Sequence, residues 1–159
     1  MDADKKVLRI LDANFNRSRE GLRVCEEIFR FFLNDAVLTR KLKKARHDVT
    51  RILKSLPVPQ ESLVAARDVR GDQGKKPSPL ENSRRDVADL FLANMQRSKE
   101  SLRALEEFAK FLGSNTSVKL KKLRFEVYAI EKRALPTLET LRHHRFGEPK
   151  KRPACPHGA

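Results

Sequence analysis

Residues 14–27 read NFNRSREGLRVCEE, and residues 94–107 read NMQRSKESLRALEE. The second stretch repeats the first: eight of the fourteen positions are identical, and seven of those eight are polar or charged. A repeat that serves packing alone needs to keep only its apolar pattern. The shared polar residues therefore indicate that the repeat carries a functional surface as well as a fold.

Helical spacing sorts the first copy into stripes along one helix. Steps of three and four give an apolar seam of Leu8, Leu11, Phe15, Ser18, Leu22, Cys25, Phe29 and Phe32. Such a seam is typical of a helix packed in a bundle. The neighbouring stripe places Asn14 and Arg17 between apolar residues, and the second copy places Asn94 and Arg97 in the same way. Because a desolvated arginine needs partners for its donors, we expect a polar pocket shared by the two copies.

A third stripe runs beside the second and is charged. It consists of Glu20, Arg23 and Glu27 in the first copy and of Glu100, Arg103 and Glu107 in the second. Glutamate and arginine at this spacing form ordinary ion pairs on helix surfaces, each contributing a few tenths of a kcal/mol. The stripe fits a surface role and a functional role equally well.

The duplication extends over a whole helical hairpin. KLKKARHDV at 41–49 returns as KLKKLRFEV at 119–127. The first hairpin is predicted at about 3–56, with a turn at Asn34 and Asp35, and the second at about 83–135, with Gly113 ending its first helix and Pro136 kinking or ending its second.

Two hairpins with one-sided apolar seams bury those seams best against each other. The fold class is therefore all-α: a four-helix bundle of two repeated hairpins with internal pseudo-twofold symmetry. This domain occupies 1–145 and contains a long central loop at 57–82. A basic tail at 146–159 is expected to be flexible and disordered.

Composition limits the partners and the compartment. The net charge of +14 favours anions, whether nucleic acid, an acidic membrane or phosphorylated small molecules. Nucleic acid is disfavoured because glutamates balance the helices and the chain has one Tyr and no Trp for stacking. No apolar run approaches the roughly 20 residues of a membrane span, and the N-terminus lacks the order of a signal peptide. A cytoplasmic location is expected, and a homodimer is compatible with the pattern.

Cysteine and histidine usage indicates neither a disulfide framework nor a strong metal site. Cys25 lies in the core seam and should behave as a small buried hydrophobe. His143, His144, Cys155 and His157 could bind zinc only through the tail, which disfavours such a site.

The central loop contains the sequence ARDVRGDQG at 66–74. Loops of this length inside a compact domain are usually linkers, lids or binding loops. The segment lacks the glycine spacing of a P-loop. Asp68 and Asp72 are its paired aspartates.

Taken together, four motifs resemble a known family. They are LDANFNRSREGLRVCEE at 11–27, ARDVRGDQG at 66–74, ANMQRSKESLRALEEFAK at 93–110 and LRFEVYAIEK at 123–132. This combination is similar to the small all-helical hydroxymethylpyrimidine phosphate kinase family of thiamine biosynthesis, which also occurs fused to the N-terminus of thiamine-phosphate synthase. The resemblance covers about 8–133. It implies a transferase that phosphorylates a pyrimidine monophosphate to its diphosphate with ATP and magnesium.

The resemblance also implies roles for particular residues. Substrate or phosphate binding falls on Asn14, Arg17, Arg23, Arg67, Asn94, Arg97, Arg103 and Arg124. The carboxylates that could act as base or hold magnesium are Asp68, Asp72, Glu20 and Glu100, expected to be catalytic, and Glu27 and Glu107, expected to bind the metal. The loop departs from the family pattern at Val69, where threonine is usual, and at Gln73, where an apolar residue is usual. A non-catalytic accessory domain linked to thiamine-phosphate synthase therefore remains an alternative, and a basic helical nucleic-acid-binding protein is a weaker one.

Overall fold

The computed structural model describes residues 2–72, 84–113 and 115–142, and these residues form an all-helical bundle. The helices are α1 (Asp2–Glu27), which continues as a π-helical turn at Ile28–Phe32, α2 (Ala36–Lys54), α3 (Gln60–Ala65), α4 (Val87–Phe108), which continues as a 3₁₀ turn at Ala109–Leu112, and α5 (Thr116–Glu139). The predicted all-α fold is confirmed. Within the described ranges, no helix combines the length and the apolarity that a membrane span needs.

The turns inside the two hairpins form where the sequence predicts them. Asn34 takes a left-handed conformation with φ of 53°, and the Asp35 carboxylate then caps α2 by accepting hydrogen bonds from the N–H groups of Val37 and Leu38 at 2.8 and 2.9 Å. Gly113 ends the second hairpin's first helix with φ of 60°, a conformation that glycine adopts at little cost. Each turn reverses the chain, so α2 packs on α1 and α5 packs on α4.

The apolar seams of the four long helices form one core. Its largest fully buried side chains are Phe15, Phe29, Phe91, Leu11, Leu22, Leu38, Leu42, Met95, Leu102, Leu105, Leu120 and Leu138. Each of these contributes about 1.5–3 kcal/mol through removal from water. Phe29 and Phe91 meet edge to face across α1 and α4, with ring centroids 5.5 Å apart. Cys25 is buried in the same core, as predicted, and burial raises the pKa of its thiol far above the usual range.

Helices α1 and α4 pack antiparallel at close range. Ser98 Oγ donates to the backbone oxygen of Ser18 at 3.3 Å, and Cys25 Sγ donates to the backbone oxygen of Phe91 at 3.6 Å. Since Ser18 and Ser98 are equivalent positions of the repeat, an approximate twofold axis passes near their contact. Gly21 permits this approach, because a Cβ there would lie 2.4 Å from Ser98 Oγ and 2.6 Å from the backbone oxygen of Asn94.

The described part of the central loop, residues 57–72, contains a helix that the sequence does not predict. It contains α3, from which Leu63 reaches the core, and the next residue after that helix, Ala66, is also buried. This short helix forms because Leu63 can be buried, and its six residues are too few to show a helical periodicity in the sequence. Helix α4 begins at Val87, with Asp86 as its cap, and not near Ser83, which lies outside the described residues.

Pro136 lies inside α5, which continues to Glu139. Of the two outcomes predicted for this proline, a kink or the end of the helix, the end is therefore wrong. Leu138 and Leu141 are buried in the core and extend its seam. The tail at 146–159 and the candidate zinc ligands His143, His144, Cys155 and His157 lie outside the described residues.

Candidate functional site

A pocket of about 750 Å³ lies on the twofold axis between α1 and α4. The two copies of the repeat line it with equivalent positions: Asn14, Arg17, Glu20, Gly21 and Val24 from α1, and Asn94, Arg97, Glu100, Ser101 and Ala104 from α4. We call this the central pocket. The structure thus brings together the asparagine and arginine pairs that the repeat predicts, and it adds one glutamate from each copy.

The two asparagines are oriented by their own helices. Asn14 Nδ2 donates to the backbone oxygen of Ile10 at 2.9 Å, and Asn94 Nδ2 donates to that of Leu90 at 2.8 Å. Each bond uses one N–H of the side-chain amide. Among the described residues, no other hydrogen bond engages the carbonyl oxygen or the second N–H of either amide, so both can face a ligand in the pocket.

The two arginines are exposed in the open pocket, so the desolvation predicted for them is wrong. Their stripe lies along the α1–α4 contact, where Gly21, Asn94 and Ser101 are buried but the arginine side chains extend to the surface. Arg17 forms no hydrogen bond or ion pair with any residue in the described part of the chain, whereas Arg97 does have an interaction partner. A guanidinium that is held on a helix beside a pocket, without a carboxylate partner, is suited to bind an anion.

The charged third stripe divides between the two roles left open for it. Glu20 and Glu100 line the central pocket. Arg23 contacts Glu27 at 2.5 Å, and Arg103 contacts Glu107 at 2.8 Å, both as pairs four residues apart on one helix. The Arg–Glu pairs match the surface interpretation, and Glu20 and Glu100 are the members of the stripe that line the central pocket.

Each hairpin also contains a buried ion pair that was not predicted from the sequence. Glu26 is 2% exposed and accepts from Arg46 Nε at 2.8 Å, and Glu106 is 6% exposed and accepts from Arg124 Nε at 3.0 Å. These pairs join the two helices of each hairpin. Their signal in the sequence is the second glutamate position shared by both copies, together with the arginine shared by both second helices.

Arg124, a predicted phosphate binder, is engaged with neighbouring side chains of its own hairpin. Besides Glu106, it donates from Nη1 to the Tyr128 hydroxyl at 2.9 Å, and its guanidinium lies 5.4 Å from the centroid of that ring. Arg23 and Arg103 also donate to the buried Glu26 and Glu106, at 3.3 and 2.7 Å. These three arginines lie outside the lining of the central pocket.

The described part of the loop motif, residues 66–72, contacts α1 and does not line the central pocket. Arg67 forms a two-point ion pair with Asp12, with N–O distances of 2.6 and 2.9 Å, and this pairing raises the pKa of the guanidinium. Arg9 Nη2 donates to the backbone oxygen of Asp68 at 3.0 Å. Asp68 and Asp72 line a smaller pocket of about 270 Å³, together with Val69, which is 69% exposed.

Metal-binding geometry is not preassembled in the described ranges, which contain no group of three or more His, Cys, Asp or Glu side chains placed to hold an ion. Glu27 and Glu107 are engaged with arginines, and a hydrogen bond from Lys110 lowers the pKa of Glu107. Glu20 and Glu100 are the carboxylates that line the central pocket. Gln73 and Gly74 of the loop motif lie outside the described residues.

The fold and the pocket define an internally duplicated helical protein with an anion-suited site on its symmetry axis. The sequence profile of the ThiD2 family matches residues 9–133. The chain belongs to the ThiD2 family, a family of thiamine biosynthesis.

Relatives of known name agree with this membership. The thiamine-phosphate synthase of Rhodopirellula baltica is 40% identical over 126 residues, which are 79% of this chain and 33% of that protein. That of Nostoc punctiforme is also 40% identical over 126 residues, with 34% of its length covered. The chain spans about a third of the length of these relatives. No solved structure matches it significantly.

Proposed function

We propose that this protein phosphorylates hydroxymethylpyrimidine phosphate to the diphosphate, using ATP and magnesium, as a step of thiamine biosynthesis. The observation that carries the proposal is the central pocket, where both copies of the repeat present asparagine, arginine and glutamate around one axis. Phosphoryl transfer requires positioning and charge neutralisation with little covalent chemistry from the protein. Those three residue types supply both requirements.

The arginines would neutralise the phosphates. Arg17 and Arg97 enter the pocket from opposite helices, so each can approach phosphate oxygens from its own side. A planar guanidinium donates two parallel hydrogen bonds to a phosphate, which fixes its orientation as well as its charge. The pair would hold the donated phosphoryl group and its acceptor in line.

The asparagines would orient the polar edge of a substrate. With one N–H of each amide bonded to its own helix, Asn14 and Asn94 present an acceptor and a donor in a fixed direction. A pyrimidine ring nitrogen with an adjacent amino group presents the complementary donor and acceptor. A phosphate oxygen would use the N–H alone.

Magnesium would enter with the nucleotide. Mg²⁺ keeps several waters and is usually held by one or two carboxylates together with substrate phosphates. Glu20 and Glu100 fit this limited requirement, and bound Mg²⁺ would neutralise charge that develops on the phosphates. Catalytic roles for Asp68 and Asp72 and metal binding by Glu27 and Glu107 stay predictions.

A non-catalytic binding domain is the second candidate. It is supported by the named relatives, in which the matched region is part of a thiamine-phosphate synthase, and by Val69, which carries no hydroxyl at its place in the loop. On this hypothesis the pocket would bind a phosphorylated pyrimidine for a synthase partner without turning it over.

The experiment that decides is a coupled assay with hydroxymethylpyrimidine phosphate, ATP and Mg²⁺, with the product identified by mass. Diphosphate formed well above the rate without enzyme supports the kinase. Absence of product, together with a rise in melting temperature on adding the pyrimidine phosphate, supports the binding domain. Absence of both contradicts a role of the pocket in either function.

A further inference from the structure

The central pocket is flanked by two further pockets, one on each copy of the repeat. The first flank, about 480 Å³, shares Glu20 and Val24 with the central pocket, and the second flank, about 530 Å³, shares Glu100 and Ala104. The flanks are therefore equivalent extensions of one site. Their linings have diverged, although the residues of the central pocket are largely shared.

The first flank carries an arginine without a partner. Arg19 lines it, and no hydrogen bond or ion pair links that residue to the rest of the described chain. Its Nε is buried and lacks an acceptor, which costs free energy unless a ligand supplies one. Arg46 and Arg23 add to the lining but are already bonded to glutamates. An anion with several oxygens would satisfy Arg19 and tolerate the neighbouring Glu20 if it arrived with a cation.

The equivalent position in the second flank is neutralised. Lys99 replaces Arg19, and its Nζ lies 2.7 and 2.8 Å from the two carboxylate oxygens of Glu131. The first hairpin has Leu53 at the position of that glutamate, and leucine cannot pair with Arg19. The cation of the second flank is therefore paired with a carboxylate, and the equivalent cation of the first flank is not.

The second flank has gained aromatic surface instead. Tyr128 and Phe108 line it, at positions where the first hairpin has Thr50 and Ile28. The Tyr128 ring is 38% exposed and is held by the hydroxyl's bond from Arg124. Aromatic side chains of this kind stack on heteroaromatic rings, and removing one such ring lowers the affinity about tenfold or more.

We propose that the flanks divide the two substrates: the first binds the polyphosphate of the nucleotide, and the second binds the ring of the phosphorylated pyrimidine. The inference rests on the proposed kinase function and specifies its sites. The phosphates of both substrates would then meet between Arg17 and Arg97. There an oxygen of the pyrimidine's phosphate forms a bond to the γ-phosphorus, the bond from that phosphorus to the β-bridging oxygen breaks, and ADP leaves with the electron pair. A proton on the acceptor phosphate is released to solvent.

The charges of the two substrates favour this assignment over the reverse one, in which the nucleotide would bind the second flank. The triphosphate of ATP carries more negative charge than a monophosphate, which carries about −1.5 to −2 near neutral pH. The unpaired Arg19 is in the first flank, and the neutral, aromatic surface is in the second. The more anionic substrate is thus matched to the more cationic flank.

The test measures two affinities separately by calorimetry. Inorganic tripolyphosphate probes the first flank, and hydroxymethylpyrimidine phosphate probes the second. Arg19→Gln should weaken tripolyphosphate binding about tenfold and leave the affinity for hydroxymethylpyrimidine phosphate within about twofold. The matched variant Lys99→Gln should leave tripolyphosphate binding within about twofold. Circular dichroism melts of each variant establish that it is folded.

The second flank is tested in the reverse direction. Tyr128→Leu should weaken hydroxymethylpyrimidine phosphate about tenfold and leave tripolyphosphate unchanged, whereas Tyr128→Phe should retain affinity because the ring remains. Equal losses for both ligands in either variant, or tripolyphosphate binding that Arg19→Gln leaves intact, would overturn the division. If the variants show these selective losses but the wild-type protein shows no turnover, the kinase proposal fails and the division of the flanks stands. If the wild-type protein turns over but the losses are not selective, the division fails and the kinase proposal stands.

Discussion

Arg46 and Arg17 are both repeated in the second hairpin, as Arg124 and Arg97, yet the structure gives them different surroundings. Arg46 bonds to the buried Glu26 inside the hairpin. Arg17 lies in an open pocket without any partner among the described residues. Repeated arginines therefore have two kinds of surroundings in this protein. Arg46 and Arg124 each bond to a buried glutamate inside a hairpin, whereas Arg17 and Arg97 are exposed in the lining of the central pocket.

The largest expected effect comes from breaking the buried pair. Arg46→Ala leaves Glu26 in the core without its main partner, and removal of one member of a buried pair costs about 3–5 kcal/mol. Urea unfolding should show this loss in the free energy of unfolding. The double variant Arg46→Leu with Glu26→Leu serves as the control and should recover most of it. A loss below about 1 kcal/mol in the single variant would mean that Arg23 alone satisfies Glu26.

The pocket arginines should show the opposite behaviour. Arg17→Ala or Arg97→Ala should lower kcat about 100-fold or more, because each removes a charged donor to the transferring phosphoryl group. The free energy of unfolding should change by less than about 0.5 kcal/mol, since exposed side chains away from the core contribute little. The coupled assay and urea unfolding measure the two quantities. Full activity in both variants would refute a role of the central pocket in catalysis.

Gly21 tests whether the pocket depends on the close contact of α1 with α4. Gly21→Ala places a methyl group against Ser98 Oγ and the Asn94 backbone, and overpacking of this kind costs about 1–3 kcal/mol. The matched variant Ser101→Ala keeps its Cβ in place and should cost less. Thermal unfolding compares the two variants. If Gly21→Ala is as stable as wild type, the helices separate at little cost and the contact does not set the pocket's width.

The smallest expected effect concerns an exposed pair. The hydrogen bond from Lys110 lowers the pKa of Glu107 in the folded protein, so the pair stabilises the fold above the carboxyl's unfolded pKa and stops doing so as the pH falls through the folded one. Lys110→Ala should therefore lower the melting temperature slightly at about pH 7 and leave it unchanged at about pH 2. A difference that grows on acidification would contradict this sign.

Much of the fold could be predicted because its signals are local. The three- and four-residue spacing of apolar side chains specifies the helices, and Asp35 and Gly113 specify the turns through side-chain capping and backbone freedom. The lining of the central pocket was predictable for a related reason: a residue repeated on the same stripe of two antiparallel helices faces its copy across the axis.

The remaining features depend on contacts between distant parts of the chain. Nothing local in the sequence indicates that Arg67 pairs with Asp12, because 55 residues separate them. The continuation of α5 through Pro136 depends on the burial of Leu138 in the core. The exposure of Arg17 depends on how far α1 and α4 are rotated, which the stripe pattern leaves undetermined.

The approximate axis near Ser18 and Ser98 lies within one chain, which has a consequence for the two flanks. In a symmetric homodimer of single hairpins, both halves carry the same residue at every position, so a substitution in one flank would also appear in the other. Because both hairpins belong to one chain here, the two flanks can differ, as they do at Arg19 and Lys99 and at Thr50 and Tyr128.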